Sequence, residues 1–315
     1  MSFSFLGLAE QIRAGSEITA ADVLSARRSA WSDGVVSPAE AEALFEINRI
    51  CGAPPPEWCD FFVEAITNYV VHQQQPRDHV DDDKARWLIE RLASDGRLES
   101  FTEIELLAKV LEASFSAPEA LKTFAIAEIE RAVLTGEGPT RHGGDIRPGV
   151  IDEAEVTLLR RIIFSGGGEG SVSVSRDEAE MLWRLKDATA GAANAPGWER
   201  LFVQGVGNHL MAWSGRGRID RSEAARLEAF VADRRSSVGS FLSRMLSASP
   251  ADGFAEISKA ADRQADHDEQ VSAARGITGA EADWLTTQVG ADVDPLEQAL
   301  IAFIRRESGW SPAGH

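Results

Sequence analysis

The sequence is short of the residue types that would make its function easy to name. It has two cysteines, Cys51 and Cys59, which are too few and too close together to suggest a disulfide framework. Nothing in it has the charged, apolar and small-residue order of a secretory signal, so a reduced, cytoplasmic protein is expected. No apolar stretch approaches the roughly 18–20 residues that cross a bilayer. Base is scarce relative to acid: 32 lysines and arginines stand against 50 aspartates and glutamates, for a net charge of -18. Such a chain repels nucleic acid and anionic lipid, which leaves basic or amphipathic protein segments and cations as the expected partners. Catalytic signatures are missing as well. There is no Gly-x-Ser-x-Gly elbow and no His-Glu-x-x-His, and residues 166–170 (GGGEG) lack the preceding strand and following Gly-Lys-Ser of a phosphate loop. Without a convergent set of titratable groups, an enzyme is not expected.

What is present is one short phrase written nine times: an aliphatic residue, a capping residue, two free positions, then usually an acid. The copies begin at Ile18, Val36, Val80, Leu98, Ile151, Val174, Ile219, Ile277 and Val293. Most read as capping boxes with a hydrophobic staple, in which a Ser, Thr or Asp oxygen takes an orphan amide of the first turn and the acid reaches back. The Leu98 copy fits one step later, as Ser100 to Glu103. Ser37, Asp152, Ser175, Asp220, Thr278 and Asp294 are therefore expected at helix starts. Between the boxes the apolar spacing is helical: Trp58, Phe61, Phe62, Ala65, Ile66, Tyr69 and Val70 form a stripe at i, i+3, i+4. Trp87, Trp183, Trp198 and Trp284 lie on similar stripes, which predicts core packing. The apolar start, with Phe3, Phe5, Leu6, Leu8 and Ile12, reads either as an amphipathic membrane- or partner-binding segment or as a segment docked on its own core, and the second is expected. No run alternates with period two in strand-forming residues, so an all-α fold follows.

A longer repeat overlies the short one. Residues 37–45 (SPAEAEALF) match 175–183 (SRDEAEMLW), residues 56–63 (PEWCDFFV) match 196–203 (PGWERLFV), and Arg27-Arg28 matches Arg160-Arg161. The offset drifts from 133 to 140 inside loops, as duplication followed by loop change would leave it. The expected architecture is duplicated antiparallel helical units with a small C-terminal helical unit. Residues 1–134 form the first unit, 135–150 a Gly/Pro-rich linker, 151–248 the second unit, and 249–315 a linker and the C-terminal unit.

Two turns carry acid beside glycine. The turn Ser32-Asp33-Gly34-Val35-Val36-Ser37 with Glu40, and the turn Ser94-Asp95-Gly96-Arg97-Leu98-Glu99, look like the back half of a calcium-binding EF-hand loop. With Gly34 at the sixth loop position, Glu40 falls at the twelfth, where a bidentate acid belongs. The front half fails, because Ser29 and Trp31 stand at positions one and three. A loop that offers about three oxygens does not hold an ion that needs six to eight. The plainer reading is a helix–helix turn whose acid is a cap. The densest oxygen cluster is Asp78, Asp81, Asp82 and Asp83 beside His79, and its plain reading is acid favoured in a first helical turn. If a divalent cation binds at all, its ligands are expected among Asp33, Glu40, Asp81, Asp82, Asp83 and Asp95. No other cofactor is expected.

At the two Asp-Gly turns the chain resembles the tellurite-resistance TerB-like superfamily, whose recurrent phrase is a helix ending in Ala-Asp-Gly, an aliphatic residue, a short link and Glu. Ser32-Asp33-Gly34-Val35-Val36 with Glu40, and Ser94-Asp95-Gly96-Arg97-Leu98 with Glu103, are similar to it. The resemblance covers roughly residues 18–115 and, more faintly, 151–235 and 277–305. It implies an all-helical fold with internal pseudo-symmetry and acidic turns as metal sites. In the second half Glu169-Gly170 and Arg216-Gly217 replace the Asp-Gly pair, which departs from the pattern. The whole chain also reads like a helical family of alphaproteobacteria, for which the resemblance supplies no activity. The function expected from these observations is a non-catalytic helical module for protein–protein interaction or scaffolding. The alternative is a divalent-cation-binding TerB-like stress protein.

Overall fold

A computed structural model describes residues 4–30, 35–93, 96–141, 147–165, 174–211, 279–289 and 293–308. Among them the chain is all-α. The helices are α1 (Phe5–Arg13), α2 (Ala20–Ala30), α3 (Pro38–Ile50), α4 (Pro56–Thr67), α5 (Asp82–Leu92), α6 (Phe101–Ala113), α7 (Glu119–Thr135), α8 (Glu153–Ile163), α9 (Arg176–Ala188), α10 (Gly197–Met211), α11 (Gly279–Gln288) and α12 (Pro295–Ser308). Helix α4 runs on into a π-helical stretch, Asn68–Gln73. No described helix is long and apolar enough to cross a membrane.

The repeated phrase opens these helices as its chemistry requires. Ser37 and Glu40 bond reciprocally before α3, Asp152 and Glu155 before α8, Ser175 and Glu178 before α9, and Asp294 and Glu297 before α12. Thr19 and Asp22 do the same before α2, and Asp81 accepts the Lys84 amide before α5. Asp220 and Thr278 lie outside the described residues. The aliphatic residue ahead of each cap is the staple, and Ile18, Val36, Val80, Leu98, Ile151 and Val174 are all buried.

Each buried staple brings a backbone amide under the surface, where an unpaired donor costs free energy. Four of them are met by a distant side chain. Gln73 Oε1 accepts from Val36 N at 3.1 Å, Glu128 Oε2 from Leu98 N at 3.0 Å, Asn194 Oδ1 from Ile151 N at 3.0 Å and Asn208 Oδ1 from Val174 N at 2.9 Å. The capped starts are thus tied to residues far along the chain, three of them in helical segments and Asn194 in the loop before α10, which local capping alone cannot do.

The chain divides into two compact units, Met1–Val172 with Glu180–Leu201, and Ser173–Ala179 with Phe202–His315. The sequence boundaries at 134 and 150 therefore fall inside the first unit. There α1 packs on α3, α4 on α2, α3 and α6, and α6 also on α7 and α8. Trp58, Phe61, Phe62, Ile66 and Leu107 are fully buried between them. In the second unit a Cβ added to Gly207 would lie 2.5 Å from the Phe303 ring, so α10 and α12 approach closely there. His209 meets Trp284 edge-on at 5.2 Å.

The segments matched in sequence carry helices of like length, 11 residues in α2 and in α8 and 13 in α3 and in α9. Trp58 and Trp198, which match in sequence, are both buried. Residues 212–278, which include the rest of the expected repeat, lie outside the described residues. The segment read as a linker differs from that expectation where it is described. Gly136 ends α7 with a left-handed φ of 74°, the Gly149 amide bonds Val133 O at 2.8 Å, and the side chains of Thr140 and Arg141 are buried against Glu155. The reason is electrostatic: the capping carboxylate of Glu155 is fully buried, and a buried charge needs a counter-charge close by.

Candidate functional site

The acidic run and the loop before it converge on one residue, Lys84. Asp81 caps α5, and Lys84 stands in its first turn, where side chains lean back toward the helix N-terminus. Its ammonium reaches over the preceding loop and donates to three backbone carbonyls: Gln74 O at 3.0 Å, Pro76 O at 2.6 Å and His79 O at 2.6 Å. Lys84 is only 9% exposed. A charge this deep persists where hydrogen bonds replace its lost hydration, and the carbonyls of an irregular loop need donors for the same reason.

The loop is tied down from two further sides. Asp78 adopts φ 60°, a left-handed conformation that Asp tolerates better than most residues. In that conformation its amide donates to Val71 O at 2.7 Å, its carbonyl accepts from Phe115 N at 2.7 Å, and its carboxylate meets His72 Nδ1 at 2.6 Å. Val80 N donates to Ser116 O at 2.9 Å, and His79 Nδ1 lies 2.9 Å from Ser116 Oγ. These bonds fix the residues after α6 and leave the ring of Phe115 58% exposed, 5.9 Å from the His79 ring.

Ser116 with His79 is a hydroxyl–imidazole pair, the first two members of a nucleophilic constellation. That chemistry needs a third group to orient the imidazole. Here Asp78 is paired with His72 instead, and no hydrogen bond among the described residues reaches Nε2 of His79.

The residues named as cation ligands have other tasks where they are described. Glu40 Oε2 accepts from Ser37 N at 2.8 Å and Ser37 Oγ at 2.7 Å, Asp81 caps α5, and Asp83 pairs with Arg86 at 3.0 Å. Asp82 is exposed. Asp33 and Asp95 lie outside the described residues. Among the described residues no three His, Cys, Asp or Glu side chains converge as a ligand set.

Two other charged nodes stand out in the first unit. Arg161 of α8 is bidentate to both Glu105 and Glu112 of α6, with N···O distances of 2.7 to 3.0 Å. These hydrogen bonds hold the Glu112 carboxyl below the usual glutamate range. Arg141 joins Glu155 at 2.8 Å with both side chains almost wholly buried, and its Nε and Nη1 have no hydrogen-bond partner among the described residues. Burial pushes the Glu155 carboxyl up, against the pull of the Asp152 amide, the Thr140 hydroxyl and Arg141. Cys51 and Cys59 are free thiols; burial raises Cys51, and Cys59 Sγ accepts from Thr102 Oγ1 at 3.0 Å.

Sequence reading missed Lys84, although the signal was there. Eight copies of the phrase place an acid or a polar residue at the reach-back position, and Lys84 is the exception. No protein-family model matches the chain, and no curated protein and no solved structure matches it.

Proposed function

We propose that this chain is a non-catalytic protein–protein interaction or scaffold module that receives a basic or amphipathic protein segment. The observation that carries the reading is how charge is distributed in the first unit. Many of its arginines are already paired with glutamates, mostly at the surface: Arg13 with Glu46, Arg27 with Glu64, Arg91 with Glu42, Arg131 with Glu128, Arg161 with Glu105 and Glu112, and Arg184 with Glu130. Meanwhile Glu17, Glu57, Asp60, Asp82 and Glu90 are exposed and have no ion pair among the described residues. These described carboxylates are therefore available to a cationic partner, and the exposed Phe115 ring of the same unit offers an apolar anchor. A reducing cytoplasm suits the free thiols, and membership of the TerB-like superfamily suits the capped acidic turns.

The test is affinity capture with the full chain from a native lysate at low and at moderate salt, beside a Glu57→Lys/Asp60→Lys variant and a Phe115→Ser variant. A stoichiometric basic partner that weakens with salt and is lost with either variant supports the reading. No stoichiometric partner at either salt, or one retained equally by all three proteins, overturns it.

A further inference from the structure

We propose that the turn formed by residues 74–79 is a monovalent-cation site whose occupant is the chain's own Lys84 ammonium, and that the turn takes up potassium or ammonium ion when that group is removed. Three observations converge on it. The carbonyl oxygens of Gln74, Pro76 and His79 surround one point at 2.6 to 3.0 Å, with Lys84 Nζ at that point. These are three neutral oxygens on one cation, part of the shell with which carbonyls replace the hydration of potassium, and water entering the space left by a shortened side chain would supply the rest. Calcium asks for six to eight oxygens, several of them carboxylate, at about 2.3–2.6 Å, so three carbonyls at longer range favour a singly charged, weakly hydrated ion. The point is also largely shielded, since Lys84 is 9% exposed, so a cation there is screened less than one at the surface.

The turn is held open around that point independently of Lys84. Asp78 is anchored to Val71, Phe115 and His72, and Val80 to Ser116. Shortening the side chain at position 84 therefore leaves the carbonyls facing a space that a bare ion of ammonium size can fill. This inference goes beyond the interaction reading and does not rest on it.

The experiment is thermal melting of the full-length protein and of Lys84→Ala and Lys84→Met, each in potassium, ammonium and tetramethylammonium chloride at equal ionic strength. The wild type is expected to melt at one temperature in all three salts. Lys84→Ala melts lower in tetramethylammonium and recovers about 3–6 °C in potassium or ammonium, the shift that roughly tenfold saturation of a site gives a domain of this size. Lys84→Met, whose side chain fills the space with a methyl group, is expected to show no recovery. If Lys84→Ala folds only in potassium or ammonium, the proposal is supported. Identical melts of Lys84→Ala in all three salts, recovery of both variants alike, or failure of Lys84→Ala to fold in any of them overturns it.

Discussion

Replacing Arg161 by Met asks whether α6 and α8 are held together by charge or by their apolar faces. Methionine keeps the unbranched stem and removes the guanidinium that bonds Glu105 through Nη1 and Nη2 and Glu112 through Nε and Nη2. A hydrogen bond to a charged group contributes about 1.5–3 kcal/mol, whereas an exposed ion pair contributes only about 0.2–1. Arg161 is 25% exposed and its partners are 28% and 31% exposed, so solvent screens the node without dissolving it. Two bidentate pairs in that setting should cost about 2 kcal/mol to remove, or roughly 4–8 °C in Tm. The sign of the pH dependence follows from Glu112, whose carboxyl is held below its ordinary value by the Arg161 hydrogen bonds. An acid depressed in the folded state stabilises fully above its unfolded value near about 4.3, and that contribution is lost as pH falls through the lower folded value. Urea denaturation of wild type and Arg161→Met should therefore show the full difference at pH 7 and a clearly smaller one at about pH 3.5. A difference under about 0.5 kcal/mol at pH 7, equal at both pH values, would refute the argument and leave packing alone between the two helices.

Glu155→Gln should destabilise by about 3–5 kcal/mol in denaturant titration, because it leaves the buried Arg141 guanidinium without its counter-charge. A loss under about 1 kcal/mol would mean that the node relaxes into water. Ser37→Ala removes the cap of α3 and should cost about 0.5–2 kcal/mol, read from the same titration; no change would mean that Pro38 and Val36 start the helix unaided. Gly207→Ala drives a methyl group into Phe303 and should cost about 1–3 kcal/mol in a thermal melt, with an unchanged melt arguing against the close approach of α10 and α12. Millimolar calcium, magnesium or zinc should leave the wild-type melt unchanged if the interaction reading holds, whereas a site saturated a hundredfold over its Kd would add about 2.7 kcal/mol.

The helix starts were legible because they are encoded locally. A cap, its reach-back acid and the staple before it lie within five residues, so Ser37, Asp152, Ser175 and Asp294 can be read from sequence and stand where the capping chemistry puts them. The same holds for the stripes that bury Trp58 and Trp198, since helical periodicity is a short-range signal. The acids of the boxes were legible only as acids. Whether Glu40 holds a cation or its own cap depends on which donors lie near, and there the amide and hydroxyl of Ser37 are the donors.

By itself the sequence determined an all-α chain of capped, amphipathic helices, the start of each described box helix, and a surplus of acid over base. Tertiary structure decided which distant groups meet: Gln73 with Val36, Glu128 with Leu98, Arg161 with Glu105 and Glu112, and Arg141 with Glu155. It also decided that Lys84, one base in an acidic run, donates to three carbonyls contributed by residues five to ten positions earlier. The physical reason is range. Capping and periodicity act over a turn or two of helix, whereas the pairing of a buried charge or a buried amide is settled only when packing removes water and leaves one partner within reach.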